Sequence, residues 1–223
     1  MRVVILGVTT GLGGRLAETL LDHGMTPVGL IRRADQAPAL QEAGVEPVVF
    51  DASSDGMRSV VVRAMTGAGA VVLAAGTGTG PGSLGAATAA ASPAVLLAAA
   101  AERAGVRRFV LVSAMQPGEA DRAALGDDLS AYLREKATAE QALRVRDLDW
   151  CVLRSGMLED SAPTGRILLG TGEDPRPQGP VGRADLAATV RHALTAPGAV
   201  RRVLAVSAGP REISEAMGAL DSA

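Results

Sequence analysis

The chain opens on an apolar run, residues 2–6, that enters a cluster of glycines, Gly7-Val8-Thr9-Thr10-Gly11-Leu12-Gly13-Gly14, and then an amphipathic stretch. A strand that turns through glycines into a helix admits few continuations. Apolar runs of strand length recur at 27–31, 46–50, 70–74, 107–112 and 150–153. Helical patterns at 12–23, 34–43, 58–65, 86–104 and 129–145 lie between them. Strands apolar on both faces, alternating with helices, predict a parallel sheet covered on both sides. Right-handed crossovers then give an α/β fold with a doubly wound parallel sheet and helices on both faces.

After Arg154 the rhythm breaks. Residues 155–180 hold five glycines and four prolines, and only 166–169 reads as a short strand. A segment of this kind in a compact domain predicts an irregular C-terminal cap, with 155–180 as a mobile loop on the substrate side. Regular structure resumes with a helix at 184–194, a strand at 202–206 and a helix at 213–220. A second glycine-rich loop, 76–85, follows the fourth strand. No internal repeat and no separate linker is visible, so residues 1–223 read as one domain.

Composition narrows the partners. With 48% hydrophobic residues and a formal charge of −2, the chain buries a sizeable core. Its aromatics are one Trp, one Tyr and two Phe, which argues against a base-stacking nucleic-acid surface. The one cysteine, Cys151, lies in an apolar run and reads as a core thiol in a reducing compartment. His23 and His192 are isolated, and no Cys/His cluster indicates a metal. The apolar start, residues 3–6, is too short for a signal core, and the apolar run 94–101 is too short to span a bilayer. The expectation is a cytoplasmic protein with a small-molecule substrate and no membrane partner; the sequence leaves its oligomeric state open.

The glycine cluster permits a tight turn and close backbone approach to a pyrophosphate, and the helix start supplies N–H groups and a positive dipole end. Gly7, Thr9, Thr10, Gly11, Leu12 and Gly13 are therefore candidate cofactor contacts. The second strand ends at Arg32 and Arg33. An acid there would hold the ribose 2′-hydroxyl of NAD, whereas arginine pairs with the 2′-phosphate of NADP, so NADP(H) is the expected cofactor. Asp51 and Ala52 end the third strand, where Asp51 can accept from the adenine amino group. Ala74, Ala75 and Gly76 end the fourth, small enough for the dinucleotide to lie against the sheet.

The only tyrosine and the only lysine, Tyr132 and Lys136, lie four residues apart in a helical stretch and so share a face. Together these pieces resemble the short-chain dehydrogenase/reductase superfamily. Gly7-x-x-x-Gly11-x-Gly13 is similar to its glycine motif, Tyr132-x-x-x-Lys136 to its active-site pair, and Ser113, ending Val110-Leu111-Val112-Ser113, to its catalytic serine. The C-terminal half looks most like the atypical branch, which includes small NmrA-like and flavin-reductase-like proteins. There Leu148-Asp149-Trp150-Cys151-Val152-Leu153-Arg154-Ser155-Gly156 resembles a strand leading into an Arg-Pro-Gly turn. The resemblance covers about residues 1–195 and implies a Rossmann-like fold. It also implies catalytic roles for Ser113, Tyr132 and Lys136, and cofactor contacts from Lys136, Arg154, Ser155 and Gly156. The chain departs from the pattern in two places: Ser155 stands where the branch usually has proline, and the helix around 89–95 lacks the proton-relay asparagine of many catalytic members.

In such a site Tyr132 is the general acid that protonates the substrate oxygen. A lysine ~4–5 Å away would stabilise its phenolate by ~4 kcal/mol. Ser113 would polarise the carbonyl. The leading expectation is an NADPH-dependent reductase of a small carbonyl-type substrate. Two alternatives stay open: a non-catalytic NADP(H)-binding redox sensor, and a sugar-nucleotide epimerase or dehydratase, for which the chain is short.

Overall fold

The computed structural model describes residues 1–50, 57–74, 93–115, 126–172 and 176–222. Strand β1 (Arg2–Leu6) pairs in parallel with β2 (Thr26–Ile31) on one side and with β4 (Ala70–Leu73) on the other. The sheet extends past β2 to β3 (Glu46–Val49), and past β4 to β5 (Arg108–Ala114), β6 (Asp149–Ser155) and β10 (Arg202–Ala208), all parallel. Its growth reverses direction between β1 and β4. In an open parallel sheet the crevice at the carboxyl ends of such a pair is where a ligand fits.

Alternate residues of each strand feed two separate cores. Val3, Ile5, Val110, Val112, Cys151 and Leu153 meet Leu16 and Leu20 of α1 (Gly11–Asp22) and Leu186 and Val190 of α6 (Arg183–Ala193). Val4, Val71, Phe109, Leu111 and Val152 meet α3 (Met57–Met65), α4 (Pro93–Ala104) and α5 (Asp127–Arg144) on the other face. Each fully buried Leu or Phe is worth roughly 1.5–3 kcal/mol. The two-sided burial expected from the sequence is thus the observed doubly wound fold. Cys151 is fully enclosed, and burial pushes its thiol up to about 12, which suits packing and not nucleophilic chemistry.

The C-terminal segment holds more strand than the one expected at 166–169. Within 155–180 the chain forms β7 (Leu158–Glu159), which pairs with β9 (Val181–Gly182), and β8 (Arg166–Gly170). β8 lies antiparallel to β10, with β11 (Arg211–Glu212) beyond it, and completes a nine-stranded sheet among the described residues. Ile167 is fully buried. The carboxylate of Asp185, in the first turn of α6, accepts from the N–H groups of Thr164 and Gly165 and from the Thr164 hydroxyl at 2.7–3.2 Å. The short strand expected at 166–169 is thus β8, and one buried carboxylate anchors the chain just before it. The helix expected at 86–104 is observed from Pro93, and its earlier residues lie outside the described ones. A short 3-10 turn (Ala34–Gln36) and α2 (Ala37–Glu42) fill 34–43, and α7 (Ile213–Gly218) closes the chain. Among the described residues no helix is long and apolar enough to cross a membrane.

Candidate functional site

At the carboxyl end of β1 the chain turns through Gly7 at φ 99°, a conformation that favours glycine. A β-carbon on Gly13 would lie 1.9 Å from the Gly7 carbonyl oxygen, so the first turn of α1 closes only on glycine. Thr10 caps that helix: its hydroxyl donates to the Gly7 carbonyl at 2.8 Å and accepts from the Gly13 N–H at 3.0 Å. Helix geometry leaves the N–H groups of Gly11 and Leu12 without an intrahelical partner. Thr9 and Gly11 are exposed, while Val8 and Leu12 are buried beneath them. This cradle, positive in sign and shaped by Gly7 and Gly13, where other residues would be strained or would clash, fits the phosphates of a dinucleotide.

Leu30 of β2 lies level with Leu6 of β1, so Arg32 and Arg33 emerge beside this turn. Both are exposed, and the Arg33 guanidinium pairs with Asp35 at 3.1 Å. The acid nearest in sequence thus neutralises one of the two arginines. Ala74 is buried at the end of β4, its N–H donating to the Leu6 carbonyl. Asp51, Ala52, Ala75 and Gly76 lie outside the described residues.

Helix α5 brings the catalytic candidates together. Tyr132, Lys136 and Glu140 recur at every fourth position and so form one stripe. The Lys136 ammonium lies 5.7 Å from the centre of the Tyr132 ring and donates to the Val112 carbonyl at 2.9 Å, just past the end of the β4–β5 ladder. Lys136 is 6% exposed, and burial lowers its pKa to about 8 against the opposing pull of Glu135 and Glu140. Burial first, and then Glu135, hold the Tyr132 phenol above its ordinary value. The expected depression of the phenol by Lys136 is thus outweighed. The reason is physical: the ammonium is turned to a backbone carbonyl, and the half-buried ring loses more hydration than it gains in field.

Ser113 and Arg154 are direct neighbours across the β5–β6 ladder, so their side chains leave the sheet on one face, beneath α5. Glu140 meets both. Its carboxylate accepts from the Ser113 hydroxyl at 2.5 Å, from Arg154 Nε at 3.2 Å to each oxygen, and from Arg154 Nη2 at 2.8 Å. Ser113 and Arg154, read from the sequence as substrate and cofactor contacts, turn inward to this carboxylate. Ser155 is buried, and its hydroxyl donates to the Ser113 carbonyl at 3.4 Å. A β-carbon on Gly156 would lie 1.8 Å from the Gly179 carbonyl oxygen, so close chain approach explains that glycine without a ligand. Sequence reasoning passed over Glu140. The signal was there: the Tyr132–Lys136 spacing continued by one more turn reaches an acid, opposite an arginine inside an apolar strand.

Comparison with known proteins places this geometry. The chain is 27% identical to a protein of Bacillus subtilis named as an uncharacterized sugar epimerase, YhfK, over 97% of this chain and 99% of that one. A putative NAD-dependent epimerase/dehydratase from Bacillus halodurans superposes with a TM-score of 0.80 at 26% identity, covering 97% of this chain and 98% of its own. ChuY, an anaerobilin reductase from Escherichia coli O157:H7, does so with a TM-score of 0.75 at 28% identity, covering 95% and 99%. Residues 7–197 match the family described as NAD(P)H-binding. From the glycine turn through α6, the chain belongs to the NAD(P)H-binding family of Rossmann-like proteins.

Proposed function

We propose that this protein is an NADPH-dependent reductase of a small carbonyl-type substrate, with Tyr132 as the general acid. The observation that carries the reading is the Tyr132–Lys136 pair on one face of α5, with a phenol that stays protonated. At neutral pH the phenol is in its protonated form, the form that a carbonyl reduction uses. The bound nicotinamide would supply the hydride to the substrate carbon. Tyr132 would deliver its proton to the substrate oxygen as negative charge develops there, and solvent would reprotonate it. Lys136 would place a cation near the resulting phenolate and hold α5 against β5 through Val112. Met115 and Met157, 46% and 73% exposed where β5 and β6 end, offer apolar surface for the rest of the substrate.

The test begins with a panel of aldehydes, ketones and quinones followed by NADPH absorbance. Tyr132→Phe should lower turnover by ~10²–10⁴ while leaving NADPH affinity within a few fold. Retained turnover in that variant would show that another group is the acid.

One observation favours a second reading, a non-catalytic NADP(H) sensor: the Ser113 proton is committed to Glu140 and does not point to a substrate. Wild-type protein that binds NADPH but turns over no carbonyl would favour it. The epimerase names of two relatives keep that reaction class in view, because shortness no longer counts against it when YhfK is covered over 99% of its length.

A further inference from the structure

Arg183 is the first residue of α6, and its side chain crosses to the start of α1. A β-carbon on Gly11 would lie 3.3 Å from its Nε and 3.4 Å from its Cδ. The guanidinium therefore rests on the glycine turn itself, at the face where a dinucleotide's phosphates would sit. Its ion-pair partner is Asp160, at 2.9 Å, whose side chain is 83% exposed while that of Arg183 is 27% exposed.

The placement has the wrong sign for a purely structural contact. The start of a helix carries a partial positive charge, and cations are disfavoured there. Its own helix carries the Asp185 carboxylate in its first turn, but α1, on whose start the guanidinium rests, has no acid there. A cation at the start of α1 is stabilised by an anion. Asp160 supplies one from an exposed position, where ion pairs are weak. A pyrophosphate supplies two charges and adjacent oxygens that the planar guanidinium can meet with paired hydrogen bonds.

We infer that Arg183 is a cofactor-binding residue that exchanges Asp160 for the pyrophosphate of the nicotinamide dinucleotide. This rests on the cofactor reading above and not on the reductase chemistry. In the exchange Asp160 loses its partner, so the chain between β7 and Thr164 is released at its outer end while Asp185 still holds its inner end. Cofactor occupancy is thereby passed to the chain that follows β6.

Titration calorimetry with NADPH and with adenosine 2′-monophosphate, which has no pyrophosphate, tests the inference. Arg183→Ala should weaken NADPH at least tenfold and leave the monophosphate within twofold, and Arg183→Lys should fall between. Asp160→Asn should bind NADPH as tightly as wild type or a few fold tighter, because the competing anion is gone. A structural pair would lose affinity in both variants, so retained or increased affinity in Asp160→Asn separates a latch from a structural pair, and it is readable even if Arg183→Ala folds poorly. Unchanged NADPH affinity in Arg183→Ala, equal losses for both ligands, or a loss in Asp160→Asn matching that in Arg183→Ala would overturn the inference. Wild type that binds NADPH through Arg183 but shows no turnover would count against the reductase reading alone.

Discussion

The Arg154–Glu140 pair lies under α5 with side-chain exposures of 10% and 3%, whereas the Arg33–Asp35 pair at the nucleotide end has exposures of 70% and 67%. Both are arginine–carboxylate contacts of about the same length. In the first, both carboxylate oxygens accept from the guanidinium and one also accepts a hydrogen bond from the Ser113 hydroxyl, so the charges are held together out of water. In the second, water competes with every contact and either partner can be exchanged. Burial decides which arginines build the site and which are left to receive an anion.

The largest expected effect breaks the buried pair. Glu140→Ala should destabilise the fold by about 3–5 kcal/mol, because it removes the buried carboxylate that Arg154 and Ser113 share. Denaturant unfolding measures this, and a Glu140→Leu/Arg154→Met double variant should recover most of the loss. If the single variant costs less than about 1 kcal/mol, the cluster is not the closed unit described.

Next in size is Lys136. Its folded pKa, about 8, lies below the ordinary lysine value of 10.5, so between those values the unfolded chain binds more protons. Stability should therefore rise with pH across that window through this residue, by up to about 3 kcal/mol, and that contribution should be absent below pH 8. Lys136→Met should flatten the rise. A slope that survives the substitution must come from another group.

Smaller effects belong to the exposed end. Arg32→Ala should weaken NADPH by about 1.5–3 kcal/mol and Arg33→Ala by less, since Asp35 already neutralises Arg33. Equal losses would mean that the Asp35 contact yields to the cofactor. Smallest of all, Asp35→Asn should change unfolding stability by less than about 1 kcal/mol, as for exposed pairs in general.

What the sequence disclosed follows the same division. β1, the glycine turn and α1 were readable because an apolar run, a glycine cluster and a helical period meet there without overlap. The Tyr132–Lys136 pair was readable because each residue is unique in the chain. Glu140 was harder to read: it continues the Tyr132–Lys136 spacing, but its partners Ser113 and Arg154 sit on β5 and β6, whose pairing is not local in the chain. β8 was read as an isolated short strand because its partners, β10 and β11, come later in the chain and antiparallel pairing leaves little local pattern. The cap also hid its anchor: Asp185 is an ordinary first-turn acid until Thr164 and Gly165 are seen to donate to it.

The burial of Lys136 makes this chain its own reporter of opening. A protease specific for lysine has one cleavage site in all 223 residues, and that site lies in the middle of α5, against the sheet. Cleavage requires the helix to leave β5, so the rate of appearance of two fragments should follow the opening equilibrium when reclosure is fast. An amine-directed label at neutral pH should likewise find the α-amino group and spare Lys136 until the same event. With no second lysine to blur the signal, proteolysis in the presence and absence of NADPH would time the helix that carries the proposed acid.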